Sequence, residues 1–165
     1  MTEPGSLGDL LPDDVLSTQQ VVSRINELIA ICHDGALGYE VAARFIEEGR
    51  YKELFLQYAR QRRQFAAELY GRLEQSGAVA ETEGDLAGFI HRTWMRLRVR
   101  LTGHELKIIL EECERGEEAA VEVYVEALQL PLARELHVLI DRHYQAIRAA
   151  RDRLRALQAA LVMTP

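Results

Sequence analysis

Cysteine, proline and tryptophan are scarce in this chain, at two, four and one of 165 residues. The cysteines stand far apart and no charged-then-apolar leader opens the chain, so they read as thiols of a cytoplasmic protein. Few prolines, no alternating Val/Ile/Thr runs and abundant Ala, Leu, Glu and Arg point to an all-helical protein. No apolar run reaches the ~18 residues that a membrane span requires. Also missing are a Gly-rich phosphate loop, a Ser/His/Asp arrangement and a paired-cysteine zinc motif. Basic charge is not in excess: the net charge is −6, which argues against general nucleic-acid binding.

What is present is one helical pattern written twice. Ile31-Cys32-His33-Asp34-Gly35 leads to Tyr39 and Ala42, and Glu112-Cys113-Glu114-Arg115-Gly116 leads to Ala120 and Val123. Each Cys-x-x-Gly lies inside a heptad stripe and is followed by a second long helical segment. Two helical hairpins folded against each other are the expected architecture.

The first stripe is Val21, Ile25, Leu28, Cys32, Gly35, Tyr39, Ala42 and Ile46; Ser17 with Gln20 makes a capping box before it. A second passes through Tyr51, Leu54, Tyr58, Gln61, Phe65, Glu68 and Arg72, with Gly49 at the preceding turn and Ser76-Gly77 at its close. A third runs Leu106, Ile109, Cys113, Gly116, Ala120, Val123, Ala127 and Leu130 after a Thr102–Glu105 box. Pro131 suits the first position of the last helix, whose stripe is Leu136, Ile140, His143, Ile147, Ala150, Leu154, Leu157 and Leu161. The domain reading is therefore a flexible tail over 1–16 and one bundle over 17–162. Its helices cover about 18–46, 51–75, 103–129 and 131–161, with a short one over 85–101 in the long connection. Two antiparallel hairpins joined by such a crossover make a ferritin-like four-helix bundle.

Five segments carry a family resemblance: Ile25-Asn26-Glu27-Leu28-Ile29, Asp34-Gly35-Ala36-Leu37-Gly38-Tyr39, Phe65-Ala66-Ala67-Glu68-Leu69, His91-Arg92-Thr93-Trp94-Met95, and Leu110 to Glu117. Over roughly residues 16–157 the chain resembles a group of bacterial ferritin-like four-helix-bundle proteins known as a domain of unknown function. The resemblance implies the fold and carries no activity. Similar proteins tend to have a histidine where this chain has Arg151.

Ferritin-like di-iron proteins use a Glu from each of two helices and a Glu-x-x-His from each of the other two. Neither Glu-x-x-His nor Asp-x-x-His occurs here. Laid onto that pattern, the first-helix glutamate falls at Cys32 and the second-helix pair at Gln61 and Gln64. The internal repeat carries these to Cys113, His143 and Ala146. The candidate metal ligands are thus Cys32, Gln61, Cys113 and His143, placed at a similar height in the bundle, where two thiolates and an imidazole suit Zn²⁺. The alternative is that the cysteines fill space and that His143 and Gln61 share a buried hydrogen bond. Gly35 and Gly116 imply close helix approach, room for a large neighbour such as Tyr39 or Phe65, or a cavity for a ligand. Glu68, an acid on a core stripe, calls for a partner: Arg72, an arginine of the last helix or a tyrosine. Asp34, Glu40, Glu114, Glu117 and Glu118 read as solvated faces. In the crossover, Arg92, Arg96, Arg98 and Arg100 cluster around Trp94, a basic patch that packs across the bundle or contacts anionic lipid or RNA, and His91 reads as a cap or hydrogen-bond donor.

The functional expectation is a non-enzymatic, stress-related accessory bundle working through a protein partner or self-association. No catalytic residue and no cofactor are assigned. The alternative is a divergent zinc, iron or redox protein built on the Cys/Cys/His layer.

Overall fold

The computed structural model describes residues 18–77 and 105–163. The tail, the crossover helix expected over 85–101, Trp94 and its arginines lie outside the described residues, as do Ser17 and Thr102 of the two capping boxes. The described residues form four helices: α1 Thr18–Arg44, α2 Gly49–Gln75, α3 Leu106–Leu128 and α4 Arg134–Val162. There is no strand among the described residues. No described helix is long and apolar enough to cross a membrane.

The ends follow local chemistry, with three departures from expectation. Ser76 closes α2: its hydroxyl donates to the Leu73 carbonyl at 2.7 Å, and Gly77 takes the positive φ of 73° that favours glycine. Gly49, expected in the turn, is instead the first residue of α2, behind Glu48 in extended conformation. Glu105, expected inside α3, is its N-cap at φ −70° and ψ 159°, so the helix starts at Leu106. Pro131 does not open α4, which begins at Arg134. The Leu132 N–H closes onto the Leu130 carbonyl at 2.8 Å, a three-residue turn centred on Pro131. The fixed φ of the proline ring suits that bend as well as a helix start.

Contacts fix the helix directions. Gly35 faces Arg62 and Tyr39 faces Phe55, so α1 and α2 are antiparallel. Tyr124 meets His143 and Glu114 meets Arg155, so α3 and α4 are antiparallel. Cys32 meets Tyr124 and Tyr39 meets Glu117, which sets α1 antiparallel to α3. It follows that α2 and α3 run the same way, so Gly77 and Glu105 stand towards opposite ends of the bundle.

Among the described residues the interior holds two apolar clusters. One holds Leu28, Phe65, Leu69, Tyr124, Ile140 and Ile147; the other holds Tyr39, Phe55, Ile109, Leu110 and Leu154. Each fully buried Leu or Ile contributes roughly 1.5–3 kcal/mol by leaving water. Between the clusters lie two charged side chains, Arg62 at 1% exposure and Glu117 at 2%.

Candidate functional site

Arg62 reaches the bundle centre because it shares a face of α2 with Phe55, Ala59, Phe65, Ala66 and Leu69, all buried. The inward stripe of α2 therefore lies about one position round from the one expected through Gln61 and Arg72. Gly35 of α1 makes room: a Cβ built there would stand 3.3 Å from Arg62 Cγ and 3.4 Å from Cδ. The large neighbour of Gly35 is thus Arg62, not Tyr39 or Phe65.

Arg62 Nη2 donates to both Glu117 oxygens, at 2.7 Å to Oε1 and 2.5 Å to Oε2. Arg62 Nη1 donates to Gln61 Oε1 at 2.8 Å, and the Tyr39 hydroxyl donates to Glu117 Oε1 at 2.5 Å. Burial alone would lower the Arg62 pKa, but the adjacent Glu117 carboxylate outweighs it and holds it above its usual value. Burial, reinforced by Glu117, lifts the Tyr39 phenol well above its usual range. Glu117, expected on a solvated face, is therefore the buried counter-ion of the core.

A second polar chain takes one residue from each helix. The sulfur of Cys32 lies 3.2 Å from the Tyr124 hydroxyl, which is 3.3 Å from His143 Nδ1. His143 Nε2 is 2.6 Å from Glu68 Oε2, and that oxygen also accepts from Arg142 Nη2 at 2.6 Å. Glu68 accepts from Gln64 Nε2 at 3.0 Å as well. The partners of Glu68 are thus His143 and an arginine of the last helix. The Phe65 ring stacks on His143 with centroids 4.0 Å apart and lies 5.5 Å below the Arg62 guanidinium.

The expected metal layer is not assembled. Cys32 and His143 belong to one end of the interior, linked through Tyr124, while Cys113 packs against the other cluster. The similar height expected of the two cysteines fails for a geometric reason. With α1 and α3 antiparallel, the level of Cys113 lies roughly three turns, ~16 Å, from that of Cys32. Gln61 bonds Arg62, not His143. Both cysteines are free. Burial pushes the Cys32 thiol up to about 11, against a smaller lowering from Tyr124, and it pushes the Cys113 thiol up too. Among the described residues no group of three or more His, Cys, Asp or Glu side chains is placed to hold a metal ion.

Between α1 and α3 lies a cavity of about 190 Å³, lined by Ile31, Gly35, Gly38, Tyr39, Cys113 and Gly116, with Asp34, Glu112 and Glu117. The glycines of the two Cys-x-x-Gly elements thus face one space, with Cys113 but not Cys32 in its lining.

A family model described as Domain of unknown function (DUF2383) matches residues 20–130. The chain belongs to this family. No curated protein matches it. In this DUF2383 bundle the match spans Arg62, Glu117 and Tyr39 but ends before α4, which supplies His143.

Two predictions follow from these surroundings. A Cβ at Gly116 would meet nothing within 4 Å, so Gly116→Ala should raise stability by ~0.5–1 kcal/mol through helix propensity. Gly35→Ala should lose most of that gain, because Arg62, held by Glu117, must shift by a few tenths of an ångström. Urea midpoints of the two variants provide the check; equal gains would contradict the packing of Arg62 on Gly35.

The pH dependence has a definite sign. Burial holds His143 below 6.5, opposed by the Glu68 hydrogen bond, and burial with Arg63 holds His33 below 6.5. The unfolded chain then binds more protons as pH falls from 6.5, so stability declines from that point. Burial would raise Glu68, but bonds from His143, Gln64 and Arg142 bring it below 4.5, giving stability that is present above 4.5 and lost as pH falls through the folded value. Urea midpoints should be level between pH ~7 and ~8, lower at ~5.5 and lower again at ~4. A midpoint rising on acidification from 7 to 5.5 would contradict this.

Proposed function

We propose that this chain is a ferritin-like bundle without a dinuclear centre, working as a non-enzymatic, stress-related accessory protein of the bacterial cytoplasm through a partner protein or self-association. The helix directions support the ferritin-like topology, since two parallel neighbours in sequence require one long crossover between hairpins. The stress-related role follows the ferritin-like resemblance alone.

The observation that carries the non-enzymatic reading is the Arg62–Glu117 pair. A dinuclear iron site needs convergent carboxylate and imidazole acceptors. Here the bundle centre presents a guanidinium, which has donors only, and both Glu117 oxygens already accept from it. The residues present do not fit the metal group. Arg62 supplies as a fixed side chain the positive charge that Glu117 requires.

Elemental analysis of protein purified without chelator, before and after reconstitution with iron and zinc, tests this reading. Less than about a tenth of an equivalent is expected, together with no oxidation of ferrous ion and no peroxide turnover. A stoichiometric metal, or turnover abolished by Cys32→Ser or His143→Ala, would overturn it.

A further inference from the structure

The chain Cys32–Tyr124–His143–Glu68 has hydrogen positions that follow from its outer end. Glu68 Oε2 accepts from the Arg142 guanidinium, and a carboxylate oxygen can only accept. His143 Nε2, 2.6 Å from that oxygen, therefore carries hydrogen. A neutral imidazole has a single N–H, so Nδ1 offers its lone pair to the Tyr124 O–H at 3.3 Å. The Tyr124 oxygen, having given up its hydrogen in that direction, accepts from the Cys32 S–H at 3.2 Å. At neutral pH every donor in the chain points away from α1 and towards Glu68.

We propose that protonation of His143 reverses the two inner bonds of this chain, leaving the one to Glu68 as it is and converting the buried Cys32 sulfur from hydrogen-bond donor to acceptor. In the imidazolium both ring nitrogens donate. Nδ1–H then requires Tyr124 to accept, and the only hydrogen of the hydroxyl turns towards Cys32. The S–H must leave the tyrosine oxygen. Only the hydroxyl and thiol hydrogens rotate, so groups on α1, α3 and α4 respond without rearrangement of the backbone.

The groups around His143 place the event on the acid side of neutrality. Facing it are Glu68 and Arg62 from α2, with the Phe65 ring, Tyr124 from α3, and Cys32 of α1 through Tyr124; Arg142 adjoins it on α4. Burial and the two guanidiniums oppose the imidazolium, and Glu68 favours it. The outcome is a proton sensor whose output is the state of an interior thiol. The sulfur lone pairs are open at neutral pH and engaged by tyrosine under acid.

Cys113→Ala, outside this chain, leaves Cys32 as the single thiol for infrared measurement of the S–H stretch, alongside nitrogen-15 NMR of His143. At pH 7.5 His143 should show hydrogen on Nε2 alone, and the S–H band should be displaced to low wavenumber by donation. On acidification the band should move to higher wavenumber with the same midpoint as the His143 nitrogens. In Cys113→Ala/Tyr124→Phe the band should stand at the undisplaced position at every pH. Hydrogen on Nδ1 at pH 7.5, a band that does not move as His143 titrates, or loss of helical circular dichroism before any shift would overturn the proposal. Should Tyr124→Phe fail to fold, the neutral tautomer and the titration of the Cys113→Ala protein still decide it.

Discussion

Glu117→Ala is expected to lower folding stability by about 3–5 kcal/mol, enough to leave a domain of ordinary stability close to unfolding. The cost arises less from the lost attraction than from what remains. Arg62, 1% exposed, keeps its charge in the bundle centre with no counter-ion, and the Tyr39 hydroxyl loses its acceptor. Replacing both members tests the same physics from the other side. Arg62→Met with Glu117→Leu removes both charges and fills the space with apolar groups, so most of the loss should be recovered. Urea unfolding of the two single variants and the double variant, with the denaturant slope unchanged, measures the coupling. A Glu117→Ala cost below about 1 kcal/mol would mean that Arg62 reaches water.

Phe65→Ala should cost a further large amount, ~3–5 kcal/mol, for a different reason. The ring is 4% exposed and forms the wall between the two polar systems, stacked on His143 on one side and below Arg62 on the other. Its removal leaves a void flanked by an imidazole and a guanidinium, a setting that admits water more readily than an aliphatic one. Phe65→Leu retains most of the volume and should cost less, about 1–2 kcal/mol. Urea midpoints would separate the cases; equal losses in both variants would show that ring geometry, not volume, is what the site needs.

The sequence and the folded chain agree best where apolar residues alone define a face. The α4 stripe through Leu136, Ile140, His143, Ile147, Ala150 and Leu154 is buried as read, and so is most of the α1 stripe. On α2 the expected stripe passed through polar positions, and the true one lies beside it. Arginine ordinarily faces solvent, so its type hides Arg62 although Ala59, Phe65, Ala66 and Leu69 flank it at helical spacing. A further signal existed in Gly35, a costly residue inside a helix, whose absent side chain matches a long one opposite. Glu117 was hidden among five neighbouring acids, since nothing local distinguishes a buried carboxylate when its partner stands 55 positions away. Tyr124 is buried one position round from Val123 of the expected α3 stripe, as Arg62 is from Gln61 on α2. Levels along the bundle do not follow from the repeat, because matched repeat positions on antiparallel helices meet only near the midpoint.

The placement of Arg62 and Glu117 on two diagonal helices, between two blocks of hydrocarbon, has a consequence for uniqueness. Apolar faces tolerate sliding, since one leucine fits nearly as well as the next a turn away. Displacing α2 against α3 by one turn, ~5.4 Å, would instead strand both charges in hydrocarbon. The pair thus acts as an index pin, admitting a single axial alignment of helices that greasy contacts alone would leave free to slip.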